Sequence, residues 1–213
     1  MPGRIGEDAE WEPAARQALT LTGFDAIIAT EALGRMGKPK QPRSVKLICS
    51  MFSGDETLLA VARETLVQRF GPLDYQTQML PFDHTSYYAA EFGPDLIRQI
   101  VAFGNLVRPD SLAEIKRSTN EMETTWVLQG RRQVNLDPGY ISLGKLVLAT
   151  TKDYSHRIYL SQGIYAEVTL RYRHGAFEPW EWTYPDYASS VYRKICGEIR
   201  AAYANQLRET EDG

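Results

Sequence analysis

The chain has 213 residues, 43% hydrophobic and 24% charged, with a formal net charge of −3. Such a composition suits one globular domain with a short appendage and excludes a wholly disordered or collagen-like chain. No run approaches the roughly 18 uncharged apolar residues that a bilayer requires, and the small net charge gives no global pull toward nucleic acid or anionic lipid.

Residues 1–43 read as an N-terminal extension. A helix is expected over 12–32, with Leu19, Leu21, Phe24, Ile27 and Ile28 at imperfect helical spacing. Gly37-Lys38-Pro39-Lys40-Gln41-Pro42-Arg43 follows as a linker that no regular element can cross. Met36 stands just before it and reads as an alternative start. The folded domain is expected over 44–207, with 208–213 as a tail.

Val45–Phe52 is almost continuously apolar and ends at Ser53-Gly54, the pattern of a buried strand. Ser53 and Glu56 form a capping-box pattern for a helix to about Phe70, stopped by Gly71-Pro72. Leu73, Tyr75, Thr77 and Met79 alternate with polar residues as in a strand. Ile97–Val107 favours a strand, with helix as the competitor. Ser111 and Glu114 open a second helix carrying Leu112, Ile115, Thr119, Met122 and Trp126 on one face. Val134-Asn135-Leu136 starts another extended segment.

Strand, helix, strand, strand, helix, strand is the order of a ferredoxin-like β-α-β-β-α-β unit. A C-terminal β-meander extends it, with Ile164, Ala166, Val168, Leu170 and Tyr172 on one face and Tyr165, Glu167, Thr169, Arg171 and Arg173 on the other. His174-Gly175 reads as a tight turn. A closing helix over 188–207 presents Val191, Ile195, Ile199, Ala202 and Tyr203. The fold class is α+β.

The charge is uneven. Residues 131–175 carry seven Lys or Arg against three Asp or Glu, and also hold His156 and His174. A local positive field on a mildly acidic chain suits a small anionic ligand better than a long polyanion. Phosphate-loop, dinucleotide, nucleophile-elbow and zinc-protease motifs are all missing from the sequence, so no cofactor is indicated. Thr151-Lys152-Asp153 is one residue short of the guanine-reading element of GTPases. Cys49 and Cys196, both in apolar surroundings, are too few for a disulfide framework, and the first residues lack the order of a signal peptide. A cytoplasmic protein is expected.

Three segments concentrate function-capable side chains. Pro81–Tyr88 places Asp83 and His84 among aromatic residues after a strand end, with Asp83 a base, a ligand or a helix cap. Asn135-Leu136-Asp137-Pro138-Gly139-Tyr140 puts Asn135 and Asp137 on one face of an extended segment, or else makes a turn. Thr150–Arg157 packs Thr151, Lys152, His156 and Arg157 into one loop, where Arg157 offers a bidentate fork, Lys152 a point charge and His156 an acid or base near neutral pH. Glu167 sits opposite the meander's apolar set, as a carboxylate beside that loop or on a solvated face. Trp180–Tyr187 is dense in aromatic residues, as core, as a pocket wall or as a stacking platform.

Val45-Lys46-Leu47, Pro81-Phe82-Asp83-x-Thr85-x-Tyr87-Tyr88, Asn135–Tyr140, the block Lys145–Arg157, Gly163–Leu170 and Trp182–Tyr187 together resemble DUF4416, a bacterial family of unknown function. The resemblance runs from Val45 to the closing helix and leaves out 1–35. It implies kinship and no activity.

Three readings follow. In the first, Lys152, Arg157 and His156, with Lys145, Asn135, Tyr140 and Thr151, grip a small phosphate-bearing ligand; Asp83, Asp137 or Glu167 with His156 would supply acid–base chemistry. The second is a non-catalytic RNA- or protein-binding adaptor using Arg171, Arg173 and the Trp/Tyr cluster. The third is a metal-assisted hydrolase built on Asp83, His84 and His156.

Overall fold

In the computed structural model the described residues are 39–82 and 88–211. The helix expected over 12–32, Met36, and the pair Asp83 and His84 lie outside them. The chain divides into two units between Gln41 and Pro42, and every element below belongs to the second.

Strand β1 (Val45–Ser53) is buried at all nine positions because both of its faces are covered. Leu47, Cys49 and Met51 face helices α1 (Glu56–Phe70) and α3 (Leu112–Thr124), and Ile48 faces α5 (Ser190–Glu211). Lys46 is tolerated within this strand because its ammonium donates to Asp74 and, at 3.0 Å, to Gln206 Oε1. Helix α1 buries Leu59, Ala62 and Leu66, each Leu contributing about 1.5–3 kcal/mol.

The cap of α1 is Asp55, whose carboxylate accepts from Thr57 N and Leu58 N at 2.8 and 3.1 Å. Ser53, expected as the cap, instead donates its hydroxyl to Gln133 O at 2.7 Å and accepts from Asp55 N. Asp55 wins because Ser53 is still paired within β1, and the helix begins only after Gly54, two residues later than expected. At the other end Gly71 takes φ +102°, where a Cβ would collide with Asn105. Ser111 does not cap α3 either: its hydroxyl donates to Arg108 O, and a 3₁₀ turn, Pro109–Ser111, leads into the helix.

Among the described residues every strand pairing is antiparallel. The main sheet runs β11-β10-β8-β7-β1-β4-β2, comprising β11 (Ala176–Pro179), β10 (Ile164–Arg173), β8 (Lys145–Thr150), β7 (Val134–Ile141), β1, β4 (Ile97–Val107) and β2 (Leu73–Gln76). β3 (Leu80–Pro81) pairs with β4, and β9 (Ile158–Ser161) with β10. A separate hairpin joins β5 (Val127–Leu128) to β6 (Arg131–Arg132) through Gln129 and Gly130, both at positive φ. Short helices α2 (Ala89–Phe92) and α4 (Pro185–Ala188) complete the set. The fold is α+β, with this antiparallel sheet between α1/α3 and α5.

Two sequence patterns are redirected. In β10 the register against β8 slips between Val168 and Leu170, leaving Thr169 as a bulge. Ile164, Ala166 and Val168 therefore pack toward α3, while Leu170 and Tyr172 pack toward α5. The expected continuous apolar face does not form, and Glu167, just before the bulge, is 3% exposed rather than solvated. In α5 the inward residues are Tyr192, Ile195, Cys196, Ile199 and Tyr203, and Val191 is exposed. The helix runs to Glu211, into the segment expected as a tail. His174 and Gly175, both at positive φ, make the tight turn that the sequence suggested. No helix among the described residues is long and apolar enough to cross a membrane.

Candidate functional site

The site arises where the sheet forks. β7 and β8 pair only from Gly139–Leu148 to Ile141–Leu146. Pro138 has no N–H to extend the ladder, and Gly139 lies so close to the Val147 carbonyl and Leu148 that a Cβ would overlap both. Beyond that point β7 stays with β1, and β8 stays with β10. A cavity of about 760 Å³ occupies the fork, lined by residues from both faces of the sheet.

A strand edge left by its partner has unpaired backbone groups, which must find other partners when buried. At Leu136 helix α3 supplies them. Leu136 N donates to Glu123 Oε1 at 2.7 Å, and Lys116 Nζ donates to Leu136 O at 2.7 Å. The two side chains thus stand in for the missing strand. Lys116 also reaches Asp137 at 3.2 Å, which in turn accepts from Asn135 Nδ2 at 2.8 Å. Arg132 donates to Glu123 at 2.7 Å and makes a two-pronged contact with Glu91 at 2.7 and 2.9 Å.

The opposite wall is the 151–157 loop against β10. Glu167 Oε2 accepts from Arg157 Nε at 3.0 Å and contacts His156 Nε2 at 3.1 Å; Oε1 accepts from the Thr169 hydroxyl at 3.2 Å. Arg157 Nη1 donates to Lys152 O at 3.0 Å, which closes the loop upon itself. A carboxylate facing Nε2 favours the proton there, leaving Nδ1 as the ring's acceptor. His156 stacks on Trp182 at 5.5 Å, and Trp182 on Trp180 at 5.1 Å. Arg171 lies 4.3 Å over the Trp180 ring and pairs with Glu178.

A family model, that of a domain of unknown function, DUF4416, matches residues 43–203, from just before β1 into α5. The chain belongs to the DUF4416 family. No curated protein and no solved structure matches it.

In this DUF4416 chain, six residues singled out from the sequence line this cavity: Asn135, Asp137, Thr151, Lys152, Arg157 and Glu167. His156 stands one hydrogen bond behind, at Glu167. Two others lie elsewhere. Lys145 is exposed at the opposite end of β8, and Tyr140 packs with Val147 and Leu112 under α3. Asp83 is outside the described residues. Among those described, no three His, Cys, Asp or Glu gather as metal ligands. Cys49 and Cys196 are buried and unpaired, and burial pushes the Cys196 thiol up to about 12.

Sequence reasoning missed Arg98, Lys116, Glu123 and Asp186, all cavity-lining and buried. A signal was present. Lys116 and Glu123 fall seven apart on the face of Ile115, Thr119 and Met122, and Arg98 alternates with Ile100 and Ala102. A charge on an otherwise inward face needs a partner, and here the partners form the site.

Among the described residues, five cations (Arg98, Lys116, Arg132, Lys152, Arg157) face five carboxylates (Glu91, Glu123, Asp137, Glu167, Asp186) across the cavity. The cavity is thus balanced in formal charge, and the excess of 131–175 lies mostly outside it, since only Arg132, Lys152 and Arg157 of that segment's seven cations line it. Arg132's hydrogen bonds hold the Glu91 carboxyl below its usual range, whereas burial pushes Glu123 above it, against the pull of Lys116 and Arg132. The signs oppose. Glu91 stabilises the fold above the ordinary carboxylate pKa and loses that contribution as pH falls through its lowered value; Glu123 weighs more on the fold as pH rises through its raised one. The stability deficit of Glu91→Gln against wild type should therefore shrink between about pH 6 and about pH 3. Urea midpoints across that range check it, and a constant deficit would show that the Glu91 charge contributes nothing.

Proposed function

We propose that this domain binds a small anionic, phosphate-bearing ligand in the fork cavity. The observation that carries the reading is the hydrogen-bond balance of the walls. Asp137, Glu123 and Glu167 already accept from Asn135 and Lys116, from Leu136 N and Arg132, and from Thr169 and Arg157. Lys152, Thr151, Asn120, Tyr154 and Tyr184 line the same space with groups able to donate. Each of these carboxylates already holds donors from the protein, and hydroxyl, amide and ammonium groups line the cavity beside them, so an acceptor-rich ligand fits. The volume lies within the range of metabolite pockets, about 300–1,000 Å³.

The strand order β7-β1-β4-β2, with α1 and α3 on one face, supports a ferredoxin-like unit extended by β8 to β11 and α5. Two unpaired buried thiols suit a reducing, cytoplasmic setting.

Differential scanning fluorimetry against a panel of sugar phosphates and nucleoside monophosphates tests the reading. Lys152 is the side chain to remove, because it is exposed, whereas losing Arg157 would strand the buried Glu167. At least one compound should raise the wild-type midpoint by about 2–5 °C. Lys152→Ala should keep its ligand-free midpoint and lose most of that rise. No rise with any compound, or an equal rise in the variant, would refute the proposal.

A further inference from the structure

Two aromatic side chains on the cavity wall, Tyr154 in the 151–157 loop and Tyr184 just before α4, are 50% and 48% exposed. Both are tied to one buried cation. The Arg157 guanidinium lies 4.4 Å over the Tyr154 ring, and Nη2 donates to the Tyr184 hydroxyl at 3.4 Å. Arg157 is in turn fixed by Glu167 and by Lys152 O, and its side chain is 3% exposed. His156 stands 6.0 Å from the Tyr154 ring, tilted by 37°. With all these contacts made, Tyr154 still keeps half its surface exposed where it lines the cavity. A rigid ring of this kind offers contact area to a ligand at small cost in conformational entropy. A phosphate group alone would meet the donors at Thr151 and Lys152 and leave both the ring and most of the cavity unused.

We infer that the phosphate-bearing ligand is a nucleotide, whose base stacks on the Tyr154 ring while its phosphate meets Lys152. This rests on the reading of the cavity as an anion site and adds the class of ligand. Arg157 occupies one face of the ring, so the base takes the other. Lys152 and Tyr154 are two positions apart in one loop, at most about 7 Å of backbone, a spacing that the ribose of a nucleotide bridges. Every base has a π-face, so the ring selects the class rather than one base.

The four common nucleoside monophosphates, each compared with ribose 5-phosphate by titration calorimetry on the full chain, test this. Ribose 5-phosphate supplies the sugar and the phosphate without a base. At least one nucleotide should bind the wild type about five- to a hundredfold more tightly than ribose 5-phosphate. Tyr154→Leu should remove that advantage and leave the affinity for ribose 5-phosphate unchanged within about twofold. Tyr154→Phe, which keeps the ring, should retain the advantage. A Tyr154 that serves only to cover Arg157 would weaken both kinds of probe together in Tyr154→Leu, and that result overturns the inference. So does an advantage that survives in Tyr154→Leu or vanishes in Tyr154→Phe. Equal binding of ribose 5-phosphate and every nucleotide to the wild type overturns it too, but keeps the cavity as an anion site. No binding of any probe up to about 10 mM overturns both.

Discussion

Glu123→Leu should cost about 3–5 kcal/mol of stability, whereas Glu123→Gln should cost no more than about 1–1.5. The difference follows from what the carboxylate does. Glu123 Oε1 accepts the Leu136 N–H that β8 leaves unpaired, and Oε2 accepts from Arg132. Glutamine keeps an acceptor for the buried N–H and loses only charge, while Arg132 retains Glu91. Leucine fills the space and leaves a buried donor with nothing. Lys116→Met should behave as leucine does, because Leu136 O and Asp137 then lose their shared donor. The double variant Lys116→Met/Glu123→Leu should not recover the loss. Apolar replacement of an ordinary buried ion pair is often neutral, but here both charges also serve a strand edge that stays in place. Guanidinium midpoints of the four variants check this. Full recovery in the double variant would mean that the pair serves only itself.

The same strand edge explains what could be read from the sequence and what could not. β1, α1, β4 and α3 were legible because each is set by local pattern: continuous apolar burial, helical spacing, or alternation between charged ends. The cap of α1 was misplaced by two residues because Ser53 and Asp55 are equally good capping chemistry, and only the path after Gly54 chooses between them. The β10 faces were misread for a different reason. A bulge at Thr169 exchanges the two sides of a strand without altering its composition, and period-two alternation cannot register it. The burial of Glu167 follows from that slip.

The loop half of the site was legible as a concentration of chemistry over Thr150–Arg157. The helix half was hidden because Lys116, Glu123 and Arg98 are isolated charges in apolar patterns, which in sequence look like local imperfections. They converge only through β7 leaving β8, and that separation depends on Pro138 and Gly139, residues that read as an ordinary turn. Lys145 shares only its charge with the site residues. It falls at the far end of β8, five residues from Thr150 and roughly 17 Å away along an extended strand.

Glu167→Ala is expected to have an effect of similar size, about 3–5 kcal/mol, through the reverse arrangement. Here a buried carboxylate holds a cation in place. Arg157 and Glu167 side chains are 3% and 4% exposed, and Arg157 Nη1 also ties down Lys152 O. Removing the carboxylate leaves a guanidinium in a site with too little water to solvate it, and the Thr169 hydroxyl at the bulge loses an acceptor. Both consequences fall on one loop. Residues 151–157 should therefore open before the rest of the domain, and limited proteolysis of Glu167→Ala should cut there first, well below the unfolding transition. Arg157→Leu should free the same loop while leaving the buried Glu167 with only His156 and the Thr169 hydroxyl as partners. Combining it with Glu167→Leu should cost less than the two single changes added together, because neither charge is then stranded. A double-mutant cycle on chemical denaturation measures that coupling, and strict additivity would contradict it. The His156–Trp182 stack gives a separate local readout. His156 loses its carboxylate partner in Glu167→Ala, so tryptophan fluorescence should change at denaturant concentrations where far-ultraviolet dichroism does not.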